Sequence, residues 1–222
     1  MTWRFLHLRG GAGELHGRDL ELDGRTVTVL EVDRPAVVLG STQPESHVDR
    51  AACDAMGVDL VRRRSGGGAV LLLPDRSIWV DVTITRDDPL WDDDVGRASH
   101  WLGRCWAAAV TSLGADGAAV HTGPIVETPW SRRVCFAGLG PGEVVVGGRK
   151  LVGLSQRRTR DGARFQCALH RSWDPVGLLG LLALDEGERV RGLVELADVA
   201  TGLDLPLVAV VASLEAALVR AT

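Results

Sequence analysis

Residues 62–70 read RRRSGGGAV and run directly into Leu71, Leu72 and Leu73. Three consecutive glycines weaken helix and strand alike, by about 0.5–1 kcal/mol each relative to alanine. What they offer in return is exposed backbone N–H groups and close approach of a ligand to the main chain. With Arg63 and Ser65 beside them, Gly66, Gly67 and Gly68 suit a carboxylate or a phosphate, and Gly67 and Gly68 are the positions singled out for contact. A plain flexible turn between strand VDLVRRR and strand AVLLL is the other reading. RRRSGGG fits neither the P-loop nor the dinucleotide fingerprint.

Outward from that turn the chain alternates between strands and helices. TVTVLEVDR (26–34) and PAVVLGSTQ (35–43) read as strands, and SHVDRAACDAMG (46–57) as a helix capped by Ser46 and closed at Gly57. After the glycines, AVLLL and SIWVDVTIT (77–85) read as a hairpin around PDR, with Ile78, Val80, Val82 and Ile84 on one face. Residues 92–113 show a helical apolar stripe through Trp101, Leu102, Cys105, Trp106, Val110 and Leu113. Further on, EVVV and KLVGLSQ flank a Gly-Gly turn, and ARFQCALH follows the Asp161-Gly162 turn. Two helices are expected near 186–199 and 205–220, and residues 10–24 and 114–133 read as loops. Hairpin strands with interspersed helices predict an α+β fold, a mostly antiparallel mixed sheet flanked by helices.

Composition narrows the function. The chain has 222 residues, 45% of them hydrophobic, which suits one globular domain. A net charge of −4 argues against general nucleic-acid binding. Arginines nevertheless cluster at 62–64, 132–133 and 157–160, as solvated loops or around a local anionic ligand. No secretory signal is visible in MTWRFLHLRGGAG, and GLLGLLAL and PLVAVVASLEAALV are too short or interrupted to span a bilayer. Cys53, Cys105, Cys135 and Cys167 lie far apart without a CxxC pair, so free thiols in a reducing cytoplasm are expected. Cys53 and Cys105 fall on apolar helix faces and read as core.

A second constellation follows the Gly147-Gly148 turn: Arg149-Lys150, then GLSQRR (153–158). A lysine there can hold a carboxylate or an acyl phosphate as a point charge, or can simply be a surface lysine. Taken in order and spacing, RRRSGGGAV and GRKLVGLSQRR resemble the glycine loop and the lysine segment of the lipoate–protein ligases. PAVVLGSTQ and HVDRAACDAMGVDLVRR resemble the strand and linking helix of that superfamily, which also holds biotin ligases and octanoyltransferases. The resemblance runs from about Val27 to Trp173.

The resemblance implies a biotin/lipoate ligase-like catalytic domain. A single unit over 1–222 is expected, with its core at about 27–173, a helical tail at 174–222 and no separate C-terminal accessory domain. As a ligase it would join lipoate or octanoate to a carrier lysine through an acyl-adenylate, with ATP and Mg2+. In that scheme Arg63, Ser65, Gly66, Gly67, Gly68, Gly153 and Ser155 bind substrate, Lys150 neutralises developing charge, and Glu143 is a candidate metal ligand. Partners would be lipoyl domains of 2-oxoacid dehydrogenases or the glycine-cleavage carrier protein. The resemblance also implies two alternatives. One is a cysteine-dependent octanoyltransferase, needing no ATP and drawing octanoate from an acyl carrier protein. Cys135, in VCFAGLGPGEVVVGGRK, resembles the cysteine segment of those enzymes, and Arg132, Arg133 and Lys150 are candidate cationic neighbours for its sulfur. The other is a non-catalytic binder of lipoyl or octanoyl groups. The chain departs from the family pattern at Leu72, where a histidine is common, and at Cys167-Ala168, where His-Gly is common. A surface-type Lys150 is expected to be replaceable with little change in stability.

Overall fold

The computed structural model describes residues 2–19 and 22–221. The chain begins with β1 (Trp3–Gly10), α1 (Ala12–Gly17), β2 (Arg25–Val32) and β3 (Ala36–Leu39). Next come α2 (Arg50–Ala55), β4 (Asp59–Arg62), β5 (Val70–Leu72) and β6 (Ser77–Thr85). The middle of the chain holds α3 (His100–Ser112), β7 (Ala119–Val120), β8 (Val144–Val146), β9 (Arg149–Arg158) and β10 (Gly162–His170). Three helices follow, α4 (Pro175–Leu179), α5 (Glu186–Glu195) and α6 (Leu207–Arg220).

These strands form two sheets. The larger has seven strands in the order β1-β2-β6-β10-β9-β8-β7, with every neighbouring pair antiparallel except β1 and β2. The smaller is β4-β3-β5, in which β3 pairs parallel to β4 and antiparallel to β5. The α+β expectation holds, with a mostly antiparallel mixed sheet flanked by helices. Among the described residues no helix is long and apolar enough to cross a membrane.

The apolar patterning explains the layers. One face of the large sheet packs Val80, Val82, Phe165 and Cys167 against α3 and α6, where Leu102, Trp106, Val210 and Leu214 are buried. The last helix is thus part of the main core. A second core lies between the small sheet and α2, α4 and α5, through Val37, Leu39, Leu179 and Leu196. A third links the sheets, joining Val38, Val70 and Leu72 to Trp79 and to Leu15 of α1. The candidate site lies in this seam.

Several local expectations are corrected. AVLLL and SIWVDVTIT do not form a hairpin: β5 pairs with β3, whereas β6 is flanked by β2 and β10 and has no free edge. The connection turns at Asp75, which takes a positive φ of 58°. Nor does the glycine run form a hairpin turn, since β4 and β5 lie on opposite sides of β3. The helix expected over 46–57 starts at Arg50. Its N-cap is Asp49, whose carboxylate accepts the Ala52 N–H at 3.0 Å, while residues 45–47 form a separate 3-10 turn. The helix expected over 92–113 starts at His100, because Asp92 and Asp94 accept the Asp94 and Gly96 N–H groups in local turns. Such side-chain bonds compete with helix. The expected loop 10–24 contains α1, with residues 20 and 21 outside the described residues, and the expected loop 114–133 contains β7. The N-terminal strand β1 and the short helix α4 were not expected.

Candidate active site

The glycine loop is organised from within by Arg63. Its buried guanidinium donates to the carbonyls of Gly66 (2.6 Å), Gly68 (2.9 Å) and Val38 (3.1 Å). In a trans peptide the N–H points opposite to the carbonyl, so the Gly67 N–H is turned away from Arg63. Gly67 has a φ of +99°, and a Cβ there would lie 2.8 Å from the Arg63 guanidinium and 3.4 Å from Cys135 Sγ. A Cβ on Gly68 would meet the Ser131 carbonyl oxygen and the Val134 nitrogen, each at 2.7 Å. The close approaches that require glycine at 67 and 68 are therefore approaches of the protein to itself. Gly66, by contrast, has nothing within 4 Å of its Cβ position.

Lys150 is not a surface residue. It is 3% exposed, and its ammonium donates to Glu143 Oε1 (2.8 Å), the Gly138 carbonyl (2.8 Å) and the Cys135 carbonyl (3.0 Å). Those three contacts match the three donors an ammonium has. Lys150 thus ties β9 to the loop that carries Cys135. Glu143 is committed as fully: beyond the lysine it accepts the Gly140 N–H at 2.7 Å and the Leu154 N–H at 3.0 Å. A carboxylate with three protein donors does not fit a magnesium ligand. Among the described residues no group of three or more His, Cys, Asp or Glu side chains is placed to hold a metal. Glu143 is the counter-ion of Lys150, and both its oxygens are engaged by protein donors.

Cys135 opens a single 3-10 turn, Cys135–Ala137, and its N–H is held by the Ala69 carbonyl at 2.9 Å, just after the glycines. The residue is partly exposed and lines two adjoining spaces. The cation that meets the sulfur is Arg63, with Nη2 3.8 Å from Sγ. Of the expected neighbours, Arg133 pairs with Glu188 at 3.2 Å and Lys150 reaches only the cysteine's carbonyl.

Two spaces meet at this cysteine. Inward is a narrow, mostly apolar cavity, lined by Val38, Val70, Leu72, Trp79, Phe136 and Leu154 among others. Outward is an open groove of about 2170 Å³ that carries the three glycines, Lys150 and segment 138–141. Cys135, Leu154 and Ser155 line both. The departures from the family pattern, Leu72, Cys167 and Ala168, all line the inner cavity and make it more apolar. Gly153 lines it too, beside Ser155.

A polar chain runs along one wall of the cavity. Ser65 Oγ donates to Gln166 Oε1 at 3.0 Å and lies 3.0 Å from Ser155 Oγ. Gln166 Nε2 lies 3.3 Å from His16 Nδ1, and the His16 ring stacks on Trp79 at 4.1 Å. Burial, then the charges of Arg164, Arg63 and Arg18, push His16 down to about 3, so it is neutral. Behind Gln166 the fully buried Asp81 accepts from Arg164 Nε (2.7 Å), Arg18 Nη2 (2.5 Å) and Trp79 Nε1 (2.9 Å). Sequence reasoning missed His16, Asp81 and Gln166. The available signal was Asp81 and Gln166 standing as lone polar residues inside apolar strands.

The model of the lipoyl protein ligase A/B catalytic domain family matches residues 15–205. The chain belongs to this family. The octanoyltransferase LipM of Kyrpidia tusciae is 29% identical over 210 residues, covering 86% of this chain and 73% of that protein. LipM of Moorella thermoacetica is 32% identical over 125 residues, covering 56% of this chain and 45% of that protein. With LipM of Clostridioides difficile the match is 25% over 122 residues, again less than half of that relative's length. Among solved structures, a bipartite lipoate protein ligase from Thermoplasma acidophilum superposes with a TM-score of 0.76 at 16% identity, covering 100% of this chain and 84% of that one. A lipoate-protein ligase A bound with ATP gives 0.72 at 18%, covering 100% and 85%. At such identities the structures establish that this lipoyl-ligase family domain shares their fold.

Proposed function

We propose that this lipoyl-ligase family domain is a cysteine-dependent acyltransferase. It takes a medium-chain acyl group, octanoyl, from a carrier thioester and passes it to a lysine of a lipoyl domain, within the cytoplasm. One observation carries the reading: Cys135 is a partly exposed cysteine at the junction of an apolar cavity and an open groove, with Arg63 beside the sulfur. The cavity suits the acyl chain and the groove suits two macromolecular partners in turn. The three curated relatives, all named octanoyltransferases, favour this over the ligase reading. Residues 1–222 would work as one catalytic unit.

The chemistry proceeds in two exchanges. Cys135, having lost its proton to solvent, attacks the thioester carbonyl; an S–C bond forms and the carrier thiolate leaves. The acceptor lysine amine then attacks the enzyme thioester, an amide forms, the amine loses a proton, and the Cys135 thiolate is expelled. Arg63 provides a fixed positive charge beside the sulfur in both exchanges. Lys150 acts as a positioning residue, because it holds the Cys135 carbonyl rather than substrate. ATP and Mg2+ have no step in this scheme.

Incubation with octanoyl-carrier thioester, without ATP, should leave an octanoyl mass on the Cys135 peptide, and addition of a lipoyl domain should discharge it. Cys135→Ser should show neither. If Cys135→Ser still joins free octanoate to the lipoyl domain when ATP is present, the chain is a ligase and the proposal fails.

A further inference from the structure

Strand β5 is a wall with a cavity on each side. Side chains alternate across a strand. Val70 and Leu72 line the apolar cavity beside Cys135, while Ala69, Leu71 and Leu73 line a second cavity. Two residues, Val70 and Phe136, line both. The backbone part of this wall is fixed, because Val70 and Leu72 are registered against Val38 and Ala36 of β3. The other part is the ring of Phe136.

That ring is packed as a partition. Phe136 is 2% exposed, stacks on Trp173 at 5.5 Å with the planes 22° apart, and lies 4.7 Å from the His170 ring. The Lys150 ammonium sits 5.1 Å from its centroid. On the cavity side it closes on the backbone of β9, where a Cβ at Gly153 would be 3.3 Å from the ring edge. Beyond it lie His170 and Trp173, which line the second cavity.

We infer that Phe136 is the side chain that closes the acyl cavity and limits acyl-chain length, and that the second cavity is the space a longer straight-chain acyl group enters once the ring is removed. This rests on the acyl site proposed above. Each methylene that gains burial tightens binding about fourfold, so a few carbons suffice for a clear difference.

Isothermal titration of the full chain with the free acids octanoate, dodecanoate and tetradecanoate tests this without any transfer reaction. The wild type should bind octanoate and lose affinity at dodecanoate. Phe136→Ala should bind dodecanoate and tetradecanoate at least about tenfold more tightly than the wild type does. Phe136→Leu, which keeps an apolar side chain, should move the same way if the alanine variant does not fold. An unchanged length limit in the folded variants overturns the inference, as does a wild type that takes tetradecanoate as well as octanoate or binds none of the acids. A shifted limit without acyl loading on Cys135 would support the partition and sink the transferase. Loading with an unshifted limit would do the reverse.

Discussion

Lys150 and Glu143 form a buried ion pair at 2.8 Å, and the same ammonium grips the carbonyls of Cys135 and Gly138. The pair therefore sets the path of the loop that presents the thiol. Removing one partner leaves an uncompensated buried charge, which costs about 3–5 kcal/mol. For a chain of this size that is a fall in Tm on the order of 10 °C. Lys150→Met should show this fall together with loss of acyl loading on Cys135. The double variant Lys150→Met/Glu143→Leu removes both charges but leaves the Gly140 and Leu154 N–H groups and the Cys135 and Gly138 carbonyls without these partners, so it should regain only part of the stability and none of the activity. Thermal melts beside loading assays check it; an active double variant would deny Lys150 its positioning role.

The sequence made the chemistry at this site legible but not its geometry. RRRSGGGAV and GRKLVGLSQRR pointed to Arg63, Ser65 and Lys150, VCFAGLGPGEVVVGGRK pointed to Cys135, and the structure brings all four to one seam. What stayed hidden was direction. A motif cannot show that Lys150 spends its donors on Glu143 and two carbonyls, nor that Gly68 is pressed against Ser131 and Val134. Likewise β5 and β6 looked like a hairpin because both are apolar and close in sequence. Only tertiary pairing, with β6 taken on both edges, decides that they belong to different sheets. His16 escaped because α1 lies in a stretch that reads as loop, and nothing local says that it folds over Trp79.

The three glycines separate by substitution. Gly68→Ala drives a methyl into backbone atoms at 2.7 Å, an overpacking that costs about 1–3 kcal/mol. Gly66→Ala enters open space and should leave stability within about 0.5 kcal/mol. Since Gly66 lines the groove, any loss of transfer in Gly66→Ala reads ligand approach directly. Equal melting temperatures for the two variants would contradict the packing described for Gly68.

The four thiols should differ sharply toward an alkylating reagent. Cys53, Cys105 and Cys167 are buried, and burial pushes all three thiols up, Cys105 to about 11. Cys135 alone is partly exposed. Limited iodoacetamide at neutral pH should therefore add one carbamidomethyl group per folded chain, on the Cys135 peptide, since thiolate and access both govern the rate. Prior loading with octanoyl thioester should block it. A native chain labelled first at Cys167 would mean that the inner cavity opens more widely than the structure shows.

Acid should destabilise the fold through its buried histidines. His16 is pushed down to about 3, by burial and then by Arg164, Arg63 and Arg18, and His170, faced by Phe136, Trp173 and Ser77, is pushed down to about 4 by burial. Unfolded histidine titrates near 6.5. Between pH 6.5 and about 4 the unfolded chain therefore binds protons that the folded chain does not, so stability falls as pH falls. The slope approaches about 1.4 kcal/mol per pH unit for each group. His47, lowered by burial and by Arg133, adds in the same direction. Urea midpoints at pH 7, 6 and 5 should drop for the wild type and drop less for His16→Gln/His170→Gln. If both proteins lose stability equally between pH 6.5 and 5, these two rings are not buried in their neutral form, and the closed inner wall of the acyl cavity would have to be redrawn.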